Sequence, residues 1–202
     1  MIASLGEAYG LPIAPEDIFD AILCLLSAKS YTRRFAEDLE DVFPHIPFPA
    51  THDVFSQAAA IGREIRGLQA FTREPAAAFR PKAFCRIASE PGGAVAAVTY
   101  RDGEIVLCEN GSGRISGITE AVWSFSVSGY RVFPRWIDGR KGLPATLAFI
   151  RELRDVAARI AELIHWFDAA DLVLDATLGD TLTRAELGFP APEPAEPEQD
   201  DD

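Results

Sequence analysis

Arg131, Arg135, Arg140 and Lys141 lie within eleven residues of one another, inside the stretch WSFSVSGYRVFPRWIDGRKG that runs from Trp123 to Gly142. Guanidinium and ammonium groups spaced this way can neutralise phosphates, and arginine can also hold guanine in the major groove of DNA through two parallel hydrogen bonds. Aromatic rings beside them can fix a turn or stack. Arg114 and Asn110, near an earlier turn, are second choices for the same chemistry. The ordinary alternatives are core packing for Trp123, Phe125 and Trp136 and a surface ion pair for Arg131.

Other chemistry lacks its residues. No glycine loop follows a strand and opens a helix, as nucleotide binding through a P-loop or a dinucleotide fold requires. Pro91-Gly92-Gly93 leads into a strand-like run and reads as a turn. His45, His52 and His165 belong to different elements, and none has another histidine four residues away, so neither zinc nor any other metal is expected. No nucleophile elbow occurs. Asp102 and Glu104 flank a hairpin turn without the nearby lysine of a metal-dependent nuclease. The chain is therefore expected to bind rather than catalyse, and to need no cofactor.

The elements that must position the cations follow from periodicity. Trp123, Phe125 and Val127 alternate with serines, which predicts a half-buried strand; Gly129 breaks it, Tyr130 to Phe133 resumes it and Pro134 stops it. Trp123, Tyr130 and Trp136 are then the scaffold that fixes the turn. Before this stretch come short strand-like runs at 83–87, 94–100, 104–108 and 115–118, with turns at Asp102-Gly103 and at Glu109 to Gly113. Together they predict an antiparallel meander.

Upstream, Pro15-Glu16-Asp17 suits a first helical turn, Ser30 can cap a helix carrying Tyr31, Phe35, Leu39 and Val42, and Thr51 can cap a third helix. In that third helix Val54, Phe55, Ala58, Ile61, Ile65 and Leu68 point inward, and Arg63, Arg66 and the later Arg73 read as a solvated face. Downstream, Leu143-Pro144 starts a long helix with Leu147, Ile150, Leu153, Ala157, Ile160, Ile164 and Phe167 on one stripe. Asp171 to Leu178 continues it or forms a separate turn, Gly179 can end it, and Thr183 with Glu186 fits a capping box for a last short helix. The fold class is α+β: N-terminal helices, a central antiparallel β-meander, a long C-terminal helix and a disordered acidic tail. The expected boundaries are 1–72 for a helical docking segment, 73–189 for the meander and later helices, and 190–202 for the tail.

Charge refines the picture. The formal net charge over 202 residues is -12, which argues at first against nucleic acid. Half of that excess sits in the last thirteen residues, PAPEPAEPEQDDD, which have six acids and no base. Residues 62–86 carry six bases and two acids, and 114–142 five bases and two acids. Cys24, Cys85 and Cys108 are widely spaced and read as buried thiols of a reducing cytosol. No apolar run is long enough to span a membrane, and the N-terminus lacks the pattern of a signal peptide.

WSFSVSGYRVFPRWIDGRKG resembles the signature near the C-terminus of Type ISP restriction–modification enzymes: a Trp, then Gly-Tyr, then a basic residue with Trp, then Arg-Lys-Gly. The resemblance extends to PEDIFDAILCLLSAKSYTRRFAEDLEDVFPHIPFP, to Gly62-Arg63-Glu64, to the Asn110 turn and to the long last helix, over roughly residues 5 to 180. His45 and Ile137-Asp138-Gly139 stand where the family often carries a basic residue, and the acidic tail lies outside the resemblance.

Single-chain members of that family join a nuclease, a translocating ATPase, a coupler, an adenine methyltransferase and a C-terminal target recognition domain; this chain resembles the last part alone. The resemblance implies recognition of double-stranded DNA, no catalysis, and a methyltransferase/translocase polypeptide as partner on which the helices before residue 72 dock. The alternative is an interaction module, or the remnant of a split gene, that binds the methyltransferase but not DNA.

Overall fold

The computed structural model describes residues 2–41, 46–81, 93–96, 98–127 and 129–190. The expected strand at 83–87, the Pro91-Gly92 part of its turn, Cys85, His45 and the tail from residue 191 lie outside the described residues. Backbone contacts divide the chain into two compact units, Met1–Arg63 with Ala169–Asp202, and Glu64–Asp168. The architecture is α+β, with N-terminal helices, small antiparallel sheets and a long C-terminal helix.

The first unit holds α1 (Ile2–Tyr9), α2 (Pro15–Ser27), α3 (Tyr31–Arg34), α4 (Asp38–Asp41), most of α5 (His52–Gln69) and the end of α8 (Leu147–Gly179). Pro15 opens α2, where its missing N–H costs nothing, and Glu16 and Asp17 meet the positive end of the helix dipole. Ile18, Ala21, Cys24 and Leu25 form its buried face, and burial pushes the Cys24 thiol up to about 12. Gly62 of α5 lies so close to α2 that a Cβ there would be 1.7 Å from the carbonyl oxygen of Asp20. Beside it Arg63 donates to Asp17 at 2.6 Å, so this arginine of the expected solvated face is tied to a carboxylate.

Three expectations in this unit need correction. The helix predicted from Tyr31 to Val42 is interrupted, because Phe35 leaves helical geometry at φ -112 and ψ 27. Ser30 makes no side-chain cap; its N–H and hydroxyl instead donate to Asp171 of α8 at 2.8 and 2.6 Å. Thr183 and Glu186 do form the reciprocal bonds of a capping box, Thr183 N–H to the carboxylate at 2.7 Å and Glu186 N–H to the hydroxyl at 3.3 Å, but they close a turn rather than a helix. The helix α1 has no counterpart in the sequence reading.

The second unit is organised around a three-stranded antiparallel sheet, β1 (Thr99–Arg101), β2 (Glu104–Val106) and β3 (Arg114–Ser116), in that order. Asp102 and Gly103 both take positive φ, 50° and 80°, as the two-residue hairpin turn demands. Ile105 and Ile115 are Cα partners across β2 and β3 and are fully buried. With Leu107, Phe133, Ile137, Ile150, Leu153 and Ile160 they make the core of this unit, which the stripe on α8 completes. α8 starts at Leu147, later than Leu143-Pro144, because Thr146 accepts from Phe149 N–H at 3.2 Å and so caps it.

The strand predicted from Trp123 is largely replaced. Thr119 accepts from Val122 N–H at 3.3 Å and caps α6 (Glu120–Ser124), which places Trp123 on a helix. Only Ser126–Val127 (β4) and Tyr130–Arg131 (β5) pair as strands, across a turn that contains Gly129 at φ 80°. Pro134 is not what ends the strand, since β5 stops at Arg131. It falls in the first turn of α7 (Val132–Asp138), where helical N–H groups have no partner anyway.

A buried polar network ties the loop after α5 to α8 within this unit. Glu162 accepts from Arg73 at 2.7 Å and from Ala76 N–H at 2.8 Å. Arg159 donates to Asp155 at 2.6 Å and to the carbonyl oxygens of Arg73 and Leu68 at 2.6 and 3.3 Å. Burial pushes the Glu162 carboxyl up, but the bonds from Arg73, Ala76 and Trp166 outweigh it and hold the group below the usual glutamate range. Among the described residues, no helix is long and apolar enough to cross a membrane, and no three His, Cys, Asp or Glu side chains group as metal ligands would.

Two stability outcomes follow. Gly62→Ala should destabilise the protein by about 3 kcal/mol, since the added methyl meets backbone that cannot rotate away; denaturant unfolding measures it. Glu162→Gln should cost roughly 1–3 kcal/mol at neutral pH. The folded-state pKa is lowered, so this stabilisation is fully present above the ordinary glutamate value of about 4.3 and is lost as pH falls through the folded-state value. The gap between parent and variant should therefore shrink as melts are taken to lower pH.

Candidate nucleic-acid interface

The short helix α7 carries the cations of the opening motif on a fixed frame. Phe133 and Ile137 are fully buried and anchor its inner side. Arg131 is its N-cap residue, Arg135 lies in its last turn, and Arg140 and Lys141 follow its C-cap Gly139. From N-cap to C-cap the helix rises about 12 Å, so Arg131 and Arg140 stand at opposite ends of it.

Rings hold three of these side chains. The guanidinium of Arg131 lies 6.0 Å from the Trp123 ring centroid, that of Arg135 5.7 Å from Tyr130, and that of Arg140 3.7 Å from Trp136. The rings are themselves braced: Trp123 stacks on Tyr100 at 5.0 Å, and Trp136 on Phe149 at 5.7 Å. A cation over a ring keeps its full charge, because the partner is a quadrupole and not a carboxylate. Arg140 also donates to the carbonyl oxygen of Trp136 at 3.1 Å, which closes the C-terminal turn of α7.

The remaining candidates are more committed. Lys141 is 2.9 Å from Asp138, and Arg114 is 2.8 Å from Glu104 on the neighbouring strand. Asn110 turns its Oδ1 onto Ser112 N–H at 3.0 Å and the Ser112 hydroxyl at 2.6 Å, which shapes the β2–β3 turn. Residues 93–96 then join that turn to the end of α7. Ala96 N–H donates to Leu107 at 2.7 Å, Val95 N–H to Leu143 at 2.9 Å, and Gly142 N–H to Val95 at 2.9 Å. One groove, lined by Gly93, Val95, Cys108, Asn110 and Gly142, results. Of the candidates only Asn110 lines this groove, opposite Gly142; Arg140, Lys141 and Arg114 do not.

The sequence reading missed two features. Tyr130, expected as scaffold, is 65 % exposed, and Val127 opposite it is 51 % exposed. Arg151 of α8, which the sequence pattern does not single out, lines a second cleft with Phe71, Trp136 and Arg140. Arg63 and Arg73 are engaged elsewhere by Asp17, Glu64 and Glu162.

Comparison with known proteins gives the chain a family. No curated protein matches the chain. A solved DrdV–DNA complex, determined by cryo-electron microscopy, is similar in fold at a TM-score of 0.56 and 18% identity, over 90% of this chain and 20% of that one. A nuclease-deletion mutant of the Type ISP restriction–modification enzyme LlaGI, in complex with a DNA substrate mimic, aligns at a TM-score of 0.48 and 18% identity, over 81% of this chain and 14% of that one. The chain thus spans about a fifth or less of the length of these two proteins. The family model for the Type ISP C-terminal specificity domain matches residues 1–161, four-fifths of the chain, and the chain belongs to that family.

Proposed function

We propose that this chain is the DNA target recognition part of a Type ISP restriction–modification system, that it directs a methyltransferase/translocase polypeptide, and that it contributes sequence choice without catalysis. The observation that carries this is the α7 rim: among the described residues, Arg131 and Arg135 are exposed and held by rings, with no carboxylate within ion-pair distance, in a chain of net charge -12. Membership of the specificity-domain family supports it, as does the DNA complex of the similar protein DrdV. Arg131, Arg135 and Arg140 are the first phosphate or guanine contacts. Lys141, Arg114 and Asn110 contribute after exchanging or sharing their present partners.

A second reading keeps the partner and drops the DNA. In the first unit α2 leaves Phe19 57 % and Leu26 38 % exposed, seven residues apart and so on one face. That apolar stripe suits a methyltransferase polypeptide, and the overall negative charge favours a purely protein-binding module.

Duplex affinity should fall steeply with salt, with a log–log slope of about -0.9 for each phosphate contact. Arg131→Ala/Arg135→Ala should bind at least about tenfold more weakly and show a shallower slope by close to two contacts. Equal affinity of parent and variant at two salt concentrations would remove these residues from the interface. Phe19→Asp should abolish co-purification with the methyltransferase of the same system; loss of the partner by Phe19→Asp, with no duplex bound by the parent alone or with that partner, decides for the second reading.

A further inference from the structure

The β4–β5 hairpin is exposed at every described residue, and it presents apolar atoms at its tip. Val127 and Tyr130 are Cα partners next to a two-residue turn, so their side chains share one face. They are 51 % and 65 % exposed. Nothing in the core requires them there: Phe133 and Ile137, just beyond, are fully buried and do the packing. An exposed Val–Tyr pair at a hairpin tip therefore has to be explained by what it meets.

Its surroundings select the occupant. Arg131 follows Tyr130 directly, and Arg135 lies over the Tyr130 ring at 5.7 Å. Neither arginine has a carboxylate within ion-pair distance among the described residues. An apolar protein surface would leave both guanidiniums desolvated and unpaired, which is costly. A DNA duplex offers phosphates for the guanidiniums and, between the phosphate rows, apolar base edges such as the thymine methyl group. A two-stranded ribbon also fits the width of the major groove.

We infer that the β4–β5 tip is a base-reading element, with Tyr130 and Val127 making apolar contact with base edges while Arg131 and Arg135 grip phosphates beside them. The inference rests on the proposed DNA recognition and adds to it the residues that choose sequence. Tyr130 is exposed and outside the core, so its replacement leaves folding intact.

The full chain and its Tyr130→Ala, Tyr130→Phe and Arg135→Ala variants are each incubated with a pool of short duplexes carrying a randomised central stretch, and the bound fraction is sequenced. The parent should enrich a motif. Tyr130→Ala should lose preference at one or two adjacent base pairs of that motif and bind the selected duplex about tenfold more weakly, with an unchanged salt slope. Tyr130→Phe should keep the motif, and Arg135→Ala should keep it while weakening all duplexes and flattening the slope. A parent that enriches a motif which Tyr130→Ala reproduces in full overturns the hairpin assignment and leaves DNA recognition standing. A parent that captures no duplex overturns both. A parent that sediments as a dimer, which Tyr130→Ala converts to monomer with the motif unchanged, assigns the patch to a second copy and also overturns the inference.

Discussion

Two buried charges on α8, Arg159 and Glu162, set the frame of the second unit. They lie three residues apart, and both are almost fully buried. Leaving either alone in the interior would cost several kcal/mol, on the order of 3–5 when one partner of a buried pair is removed. The loop after α5 supplies what they need: the Arg73 guanidinium and Ala76 N–H for Glu162, and the Leu68 and Arg73 carbonyl oxygens for Arg159. The loop is held in one conformation as a result, including Phe71 at a φ of 57° that a bulky residue rarely adopts, with the Arg159 guanidinium 4.4 Å from its ring. Once α8 is fixed, its apolar side can receive Ile105, Ile115, Phe133 and Ile137, and the sheet and α7 take their places on it.

From that frame outward, the rim is held by rings. Tyr100 stacks on Trp123 and Phe149 on Trp136, so each indole has one face given to the interior while its surroundings still accept a guanidinium. This arrangement separates two demands that usually conflict. A cation fixed by a carboxylate is positioned but neutralised, and a free one is charged but disordered. Over a ring it is positioned and stays charged, at an interaction strength of about 0.5–1 kcal/mol for exposed sites.

Much of this was legible in the sequence, for identifiable reasons. Asp102-Gly103 announced its hairpin because few residue pairs tolerate two positive φ angles. The stripe on α8 announced a long helix as far as Phe167 because its apolar spacing keeps phase to that point. Trp123 misled because Trp-Phe-Val alternate over only five residues, a window in which a helical turn capped by Thr119 and a short strand give the same pattern. Pro134 misled because proline ends a strand yet equally suits the first turn of a helix. Gly62 belonged to a motif of the resemblance, but its reason, the Asp20 backbone pressed against it, is a long-range contact that no local pattern carries. The exposure of Tyr130 was hidden for the same reason: period-two logic sets its face, and only the packing says which side the core is on.

The negative total charge is compatible with the proposed role because screening makes charge a local property. At physiological ionic strength the Debye length is about 8 Å, so acids on remote surfaces subtract little from what a phosphate meets at α7. What counts is pairing within that distance. Lys141 and Arg114 each face one exposed carboxylate, at 2.9 and 2.8 Å. Such surface pairs are worth about 0–1 kcal/mol, so they lower the net field without preventing the cation from turning to a stronger acceptor. Asp138 stands in the Ile137-Asp138-Gly139 run, where the family resemblance leads one to expect a base, and it is the residue that engages Lys141. Asp138 therefore acts by occupying the charge of Lys141. On the proposed reading, it leaves the grip on phosphate to the arginines that rings hold, and these are the ones the scaffold has braced from behind.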